Sequence, residues 1–147
     1  MPHNIFEADK LSIIELKFIK DQIEAPEEFS IEKIDGYHLE NSLQLAFNLE
    51  EKLSKVDFKV EIKTDSKGLN LEEAIGSFHI VLIYKIENLS ELTKLNEIKI
   101  VEVHPHLSNA LSSITYSTSR GLLYKRMQGT VLHKFILPII DPIKLLG

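Results

Sequence analysis

Alternating apolar and polar residues predict four β-strands along the chain. Residues 11–20 form the first, and a change of phase at Ile13–Ile14 indicates a β-bulge there. Residues 43–50 and 56–63 alternate strictly, so each strand should have one face in the core and one in water. Residues 77–88 carry apolar side chains on both faces, which predicts a strand that is covered on both sides.

Residues 105–121 predict one substantial helix. Pro105 suits its first turn, where a missing N–H costs nothing, and Gly121 suits the left-handed position that closes a helix. Arg120 would then lie in the last turn, where a cation complements the helix dipole. Three- and four-residue spacing gives this helix an apolar stripe, formed by Leu107, Leu111, Ile114 and Thr118, with Ala110 alongside.

Small hydroxyl side chains cover the other faces of the predicted helix. Seven residues between 108 and 119 are Ser or Thr, which compete with the helix for backbone hydrogen bonds. A helix of this composition is usually held by packing, so we expect it to be covered on more than one side, with a second subunit as one source of cover.

Residues 21–40 predict a long connection between the first two strands. Pro26 and Gly36 break regular structure, but the segment is too apolar for a solvated linker and should lie across the rest of the molecule. Its apolar residues are Ile23, Phe29, Ile31, Ile34 and Tyr37.

The remaining segments have weaker patterns. Residues 89–103 fit neither the helical nor the strand period, and residues 122–129 show a mixed pattern of apolar and polar positions. Residues 130–140 favour an extended segment, and Asp141-Pro142 begins a short tail. The predicted fold is therefore α+β: a four-stranded antiparallel sheet, a long crossover loop after strand one, and one main helix packed on the sheet. One helix leaves much strand surface uncovered, which favours association.

The composition narrows the class of protein. A chain of 147 residues with 44% hydrophobic content suits one domain, residues 1–147, in which residues 1–10 form a flexible N-terminal segment without the apolar run of a signal peptide. The absence of cysteine excludes disulfides and Cys-ligated metals. A net charge of −5 without a basic block argues against nucleic acid, and no stretch reaches membrane-spanning length. A cytoplasmic location is expected.

No group of residues predicts an active site. His104 and His106 flank Pro105 without further ligands, so we interpret them as structural loop histidines rather than as a metal site. The hydroxyl run at residues 112–119 lacks a Gly-x-Ser-x-Gly turn and a recognisable histidine and carboxylate. Adjacent carboxylates such as Glu27-Glu28 do not face each other. We expect no enzyme activity, no metal and no cofactor, whereas the recurrent apolar surface points to binding.

The order of the predicted elements resembles that of the bacterial protein-export chaperone family SecB. Lys20-Asp21, then Glu24-Ala25-Pro26 and Phe29, is similar to the Lys-Asp and Phe-Glu-Ala-Pro that open the crossover in that family. Ser119-Arg120-Gly121 resembles the end of its helix. The later matches are to its Leu-Ala-Pro-Val and Phe-Asp-Ala-Leu-Phe, and they fall at Leu137-Pro138-Ile139-Ile140, Asp141-Pro142 and Leu145-Leu146.

The resemblance implies a chaperone that holds unfolded or preprotein chains without ATP. It implies a homotetramer, a dimer of dimers whose helices pack between opposing sheets, and in this chain the helix residues concerned would be Leu107, Leu111, Ser113, Ile114, Thr115 and Thr118. It also implies docking to the translocase ATPase through acidic residues, two of which match Asp21 and Glu24. The implied client-binding groove comprises Ile23, Phe29, Ile31, Ile34, Tyr37, Leu122, Leu123, Tyr124, Phe135 and Ile139.

Two departures from the family keep other functions open. The segment between Gly121 and Leu137 is longer than usual and lacks a Phe-Pro after the glycine, so its groove geometry is expected to differ. Few residues follow Leu146 to form the family's C-terminal helix. One alternative is a SecB-like chaperone dedicated to a single client such as an antitoxin. Another is a non-enzymatic module that binds a partner or a small hydrophobic ligand on the same sheet.

Overall fold

A four-stranded antiparallel sheet forms the body of the molecule, as the alternation predicts. The computed structural model describes residues 6–68 and 72–146. The strand order across the sheet is β1-β4-β3-β2, so β1 and β2 are its two edges. The strands are β1 (Leu11–Glu24), β2 (Ile34–Asn48), β3 (Leu53–Ser66) and β4 (Ile75–Ile86). With one main helix on the sheet, the α+β prediction is confirmed.

The crossover after β1 is shorter than predicted. Only residues 25–33 connect the two edge strands, because β1 continues to Glu24 and β2 begins at Ile34. Both extensions pair with neighbouring strands, and Gly36 lies at an irregularity in the β2–β3 ladder. The crossover passes the end of the sheet where β3 turns into β4, and Lys67 N donates to Lys33 O across that end at 2.8 Å. Backbone hydrogen bonding therefore extends both strands into the predicted connection, although its side chains do not alternate between apolar and polar.

The predicted bulge in β1 is confirmed between Ile13 and Glu15. A second bulge between Phe18 and Lys20 was not predicted. Because each bulge adds one residue to β1, the strand bends and twists along its pairing with β4.

The main helix, α2 (Pro105–Met127), is longer than the predicted 105–121. Gly121 does not close it, because this glycine does not take the left-handed conformation and the helix continues through it. Arg120 consequently lies inside the helix, and the basic residues of the last turn are Lys125 and Arg126. Gly129, with φ of +81°, takes the left-handed conformation two residues after the helix ends. The resemblance of residues 119–121 to the helix end of the family was therefore misleading.

The start of α2 agrees with the prediction. Pro105 lies in the first turn, and the N-cap is His104, whose Nδ1 accepts a hydrogen bond from the backbone N–H of His106 at 3.1 Å. His104 thus has a structural role.

The hydrophobic core lies between α2 and one face of the sheet. Tyr84 of β4 and Thr115 of α2 share a fully buried hydrogen bond of 2.7 Å. The ring of Tyr116 packs edge-on against Phe58 of β3 at 5.6 Å between centroids. The other face of the sheet is mostly polar, although Val81 on that face is also buried.

The segment before α2, which has no clear period, forms two small elements. A single helical turn, α1 (Leu89–Leu92), leads into a hairpin of β5 (Thr93–Leu95) and β6 (Val101–Val103). The hairpin projects its apolar tip into solvent, where Leu95, Ile98 and Ile100 are exposed.

The chain after α2 packs back over the core without forming a strand. Residues 131–134 make a turn, where an extended segment was predicted over 130–140, and residues 135–141 belong to no helix or strand. A 3₁₀ turn, Pro142–Leu145, ends this part, capped by Asp141.

Part of the N-terminal segment contacts the rest of the molecule. Of the N-terminal segment 1–10, residues 1–5 lie outside the described residues, Phe6 packs against the core and Ala8–Lys10 form a 3₁₀ turn. No helix within residues 6–68 and 72–146 has the length and hydropathy needed to cross a membrane.

Candidate functional site

The structure brings part of the predicted groove together at the crossover end of the sheet. Tyr37 at the start of β2 meets Phe135 edge-on, with 5.1 Å between ring centroids. Ile23 of β1 lies opposite Gly76 of β4, and Leu132 fills the space that a side chain at Gly76 would need. The crossover strands and the chain after α2 therefore meet over one face of the sheet. Burial raises the pKa of Tyr37, so its hydroxyl stays neutral.

Exposure separates the predicted groove residues into two groups. Leu123 and Phe135 are buried within the chain and belong to its core. Ile31, Tyr124 and Ile139 are exposed by 37%, 44% and 90%, so their side chains are accessible to a partner. Phe29, Ile34 and Leu122 are half-buried. Beneath the crossover, a depression of about 350 Å³ contains Phe29 and the carboxylates of Glu27, Glu28 and Glu72, so its lining is mainly polar.

A second apolar surface, which the sequence pattern did not predict, follows the open edge of β2. A depression of about 350 Å³ lies between β2 and β6, and we call it the edge depression. Its lining comprises Leu45, Ala46, Phe47, Val101, Val103, Ser108 and Leu146. Leu45 and Phe47 are evident as strand residues from the alternation, but only the strand order reveals that β2 is an edge.

A single residue at the end of the described chain already pairs with the edge of β2. Leu146 forms an isolated parallel bridge with Leu43, on the side of β2 away from β3. An edge strand presents unpaired N–H and C=O groups that can pair with another chain. Backbone pairing and an apolar depression thus occur side by side, which is the arrangement that binds an extended peptide.

The opposite edge strand, β1, is also apolar and open in the described part of the chain. Its exposed side chains are Ile13, Ile14, Leu16 and Ile19, at 37–56% exposure. A long edge strand with exposed apolar side chains is prone to pair with another chain. The first strand of the sequence therefore presents exposed apolar side chains along an edge of the sheet.

Half of the predicted oligomer residues of α2 face the sheet. Leu107, Leu111 and Thr115 are fully buried within the subunit, and the Thr115 hydroxyl bonds to Tyr84. These three residues lie on the face of α2 that packs in the core. The other three, Ser113, Ile114 and Thr118, are half-buried and lie on the other faces of the helix.

The two acidic residues expected to dock the translocase ATPase point to opposite faces of the sheet. Asp21 lies three residues before Glu24 in β1 without a bulge between them, so their side chains alternate. Arg126 Nε donates to Asp21 Oδ1 at 2.7 Å, which fastens the end of α2 to β1. Gln22 Nε2 donates to Glu24 Oε1 on the other face.

The polar face of the sheet contains a wider depression of about 800 Å³. Lys20, Lys59 and His79 lie in one row across its strands, and His79 Nε2 bonds to Asp57 at 2.6 Å. Its charged lining makes it unsuited to apolar chain segments.

The described residues form no cluster of metal ligands, and the buried Tyr84 is not ionised near neutral pH. Among residues 6–68 and 72–146, no three His, Asp or Glu side chains form a group able to hold a metal ion. Burial raises the pKa of Tyr84 to about 12, partly offset by its bond to Thr115, so its hydroxyl does not titrate near neutral pH.

Comparison with known proteins supports the fold. No family model matches the chain, and no curated protein matches it. Among solved structures, the chain is similar to the SecB-like chaperone Rv1957 of Mycobacterium tuberculosis in complex with a ChAD peptide from the antitoxin Rv1956 HigA1. The TM-score is 0.64 and the identity 12%, over 90% of this chain and 92% of that one. A protein of unknown function from Streptococcus agalactiae matches with a TM-score of 0.42, at 10% identity, over 88% of this chain and 96% of that one. The fold of this chain is SecB-like.

Proposed function

We propose that this SecB-like chain is a chaperone that holds unfolded polypeptide without ATP. The observation that supports this most directly is the open edge of β2, where backbone pairing to Leu146 occurs beside the apolar edge depression. Unfolded chains expose apolar side chains and unpaired backbone at the same time, and this edge accepts both.

The proposed binding mode needs little sequence specificity. An extended client segment adds to β2 through backbone hydrogen bonds, while alternate side chains enter the depression lined by Leu45 and Phe47. The exposed groove residues Ile31, Tyr124 and Ile139 offer further apolar contacts. Both surfaces are open to solvent, which favours a chain over a small enclosed ligand.

We include assembly in the proposal. A homo-oligomer, in the family a dimer of dimers, would cover the exposed apolar side chains of β1 and the outward positions Ser113, Ile114 and Thr118 of α2. The proposed location is the cytoplasm.

Delivery to the translocase ATPase is not part of the proposal. Asp21 is engaged by Arg126 and Glu24 lies on the other face, so the two residues do not form one acidic surface. A single dedicated client is the second candidate, favoured by the fact that the similar chaperone Rv1957 was solved with an antitoxin peptide.

An aggregation assay tests the proposal. A chemically denatured client is diluted into buffer without nucleotide, and its light scattering is followed with and without this protein. We expect suppression at about one client chain per assembly. Leu45→Lys, which places a charge in the edge depression, should abolish most of the suppression.

Gln44→Lys is the matched control. It adds a similar charge to the next residue of β2, which is exposed and points to the polar face, so suppression should be retained. If the unmodified protein fails to suppress aggregation, or if both variants behave alike, the proposal is wrong.

A further inference from the structure

The last described residues occupy the same edge of β2 that the proposed clients would use. Tyr116 Oη donates to the backbone oxygen of Pro138 at 2.6 Å, and the 3₁₀ turn Pro142–Leu145 follows. Leu146 then pairs with Leu43 at the open edge. We call residues 138–146 the strap.

The strap also defines a direction along the edge. Because the bridge to Leu43 is parallel, a chain continuing in the direction of Leu146 passes Leu45 and then Phe47, which line the edge depression. The side chain of Leu146 itself lines one end of that depression. An extended client segment that pairs with this edge over several residues would therefore occupy the position of Leu146.

The strap is held more loosely than the chain that precedes it. Leu132 and Leu137 are buried in the core, so the path up to residue 137 is firmly packed. Beyond that point no side chain is fully buried: Ile140, Leu145 and Leu146 pack half-buried against the core, Ile139 is 90% exposed, and the pairing to β2 is a single bridge. Segments with few buried contacts open at low free-energy cost while the rest of the domain stays folded.

We propose that the strap is an intramolecular competitor, which covers the β2 edge at rest and swings away about Pro138 when a client binds. This inference rests on the proposed function, since it concerns the regulation of the same site. The apparent client affinity is the intrinsic affinity multiplied by the fraction of molecules with the strap open. If the strap is closed in about nine molecules of ten, its release strengthens binding roughly tenfold.

A disulfide lock tests the inference within one protein sample. The chain has no cysteine, so Leu43→Cys with Leu146→Cys creates the only possible bridge. Paired neighbouring strands lie about 4.8 Å apart, within the range that a disulfide spans. Affinity is measured by fluorescence anisotropy with fluorescein-labelled, reduced and carboxymethylated lactalbumin, a permanently unfolded chain. Oxidation should weaken binding at least tenfold, and reduction should restore it.

A second variant weakens the half-buried contact by which Leu146 packs against the core. Leu146→Asp should strengthen binding of the same probe three- to tenfold, because it removes the apolar contact that closes the strap. Lys144→Gln changes the net charge by the same amount on an exposed side chain of the same turn, and should leave the affinity unchanged.

The outcomes separate the two proposals. If the unmodified protein binds the probe but neither the lock nor Leu146→Asp changes the affinity, the strap is not a competitor. If Leu146→Asp weakens binding, Leu146 belongs to the client site and the inference is overturned. If the unmodified protein does not bind the probe at all, the proposed function fails and the inference fails with it.

Discussion

The buried hydrogen bond between Tyr84 and Thr115 makes a quantitative prediction about how α2 is held on the sheet. Both hydroxyls are fully buried, and 2.7 Å separates their oxygens. A buried polar group that loses its partner costs about 1–3 kcal/mol, whereas removal of both partners is much cheaper. We therefore expect the changes Tyr84→Phe and Thr115→Val to be strongly non-additive in the free energy of unfolding.

The two single changes should differ in size. In Tyr84→Phe the Thr115 hydroxyl can turn to the carbonyl of Leu111, one helical turn earlier, so a loss of about 1 kcal/mol is expected. In Thr115→Val the Tyr84 hydroxyl is left at the sheet without such a partner, and about 2 kcal/mol is expected. The double variant should lose about 1–2 kcal/mol rather than the sum, which gives a coupling energy of about 1–2 kcal/mol.

Urea unfolding followed by far-UV circular dichroism measures these values. For a chain of 147 residues, each kcal/mol corresponds to about 2–4 °C in Tm, so thermal melts provide a second reading. Thr118→Val, at a half-buried position of the same helix, is the control and should change the stability by less than about 0.5 kcal/mol. Additivity of the two changes to within about 0.5 kcal/mol would refute the internal role assigned to Thr115.

Three further predictions concern pH, assembly and packing. The folded state raises the pKa of Tyr84 to about 12 from the ordinary 10, so the unfolded chain releases this proton first as the pH rises. The free energy of unfolding should therefore fall between about pH 10 and 12, and it should fall by less in Tyr84→Phe. Equal pH profiles for the two proteins would contradict this. Ser113→Arg, on the outward side of α2, should reduce the molecular mass measured by light scattering. Ser117→Arg, at an exposed position of the same helix, is the control and should not change the mass. An unchanged mass for Ser113→Arg would show that α2 does not form the interface. Gly76→Ala should lower the free energy of unfolding by about 1–3 kcal/mol, because the new Cβ would lie 2.6 Å from Leu132 Cδ1 and 2.9 Å from Phe78 Cε2. In urea unfolding, the double variant with Leu132→Ala should lose less stability than the sum of the two single changes.

Local patterns predicted the elements better than their ends. The strict alternation in β3 and the phase change in β1 identified both strands and the first bulge, because side chains of a half-buried strand must alternate between core and water. The extension of α2 through Gly121 was missed, because glycine is tolerated inside a helix when neighbouring turns are packed. Residues 122–127 gain that packing from Leu123 and Met127, which are buried against the sheet.

The candidate site was predictable only in part. The apolar residues of the crossover and of the chain after α2 were expected to line one surface, and the contact of Tyr37 with Phe135 brings the two segments together. Which of these side chains are exposed was not predictable, because Leu123 and Ile139 look equally apolar in the sequence and differ in exposure from 0% to 90%. The edge depression was missed for a related reason, since its two sides come from residues more than fifty positions apart.

By itself the sequence determined the class of fold, the four strands, the main helix and the absence of cysteine chemistry, because these depend on periodicity and composition along the chain. Only the tertiary structure decided that β2 is an edge, that Thr115 faces inward, and that residues 138–146 return to the site. Strand order and burial are set by which distant segments pack together, and in this chain one closing segment lies about a hundred residues from the strand edge it covers. Local pattern cannot encode such a pairing, because Leu43 and Leu146 look like ordinary apolar residues until the fold brings them side by side.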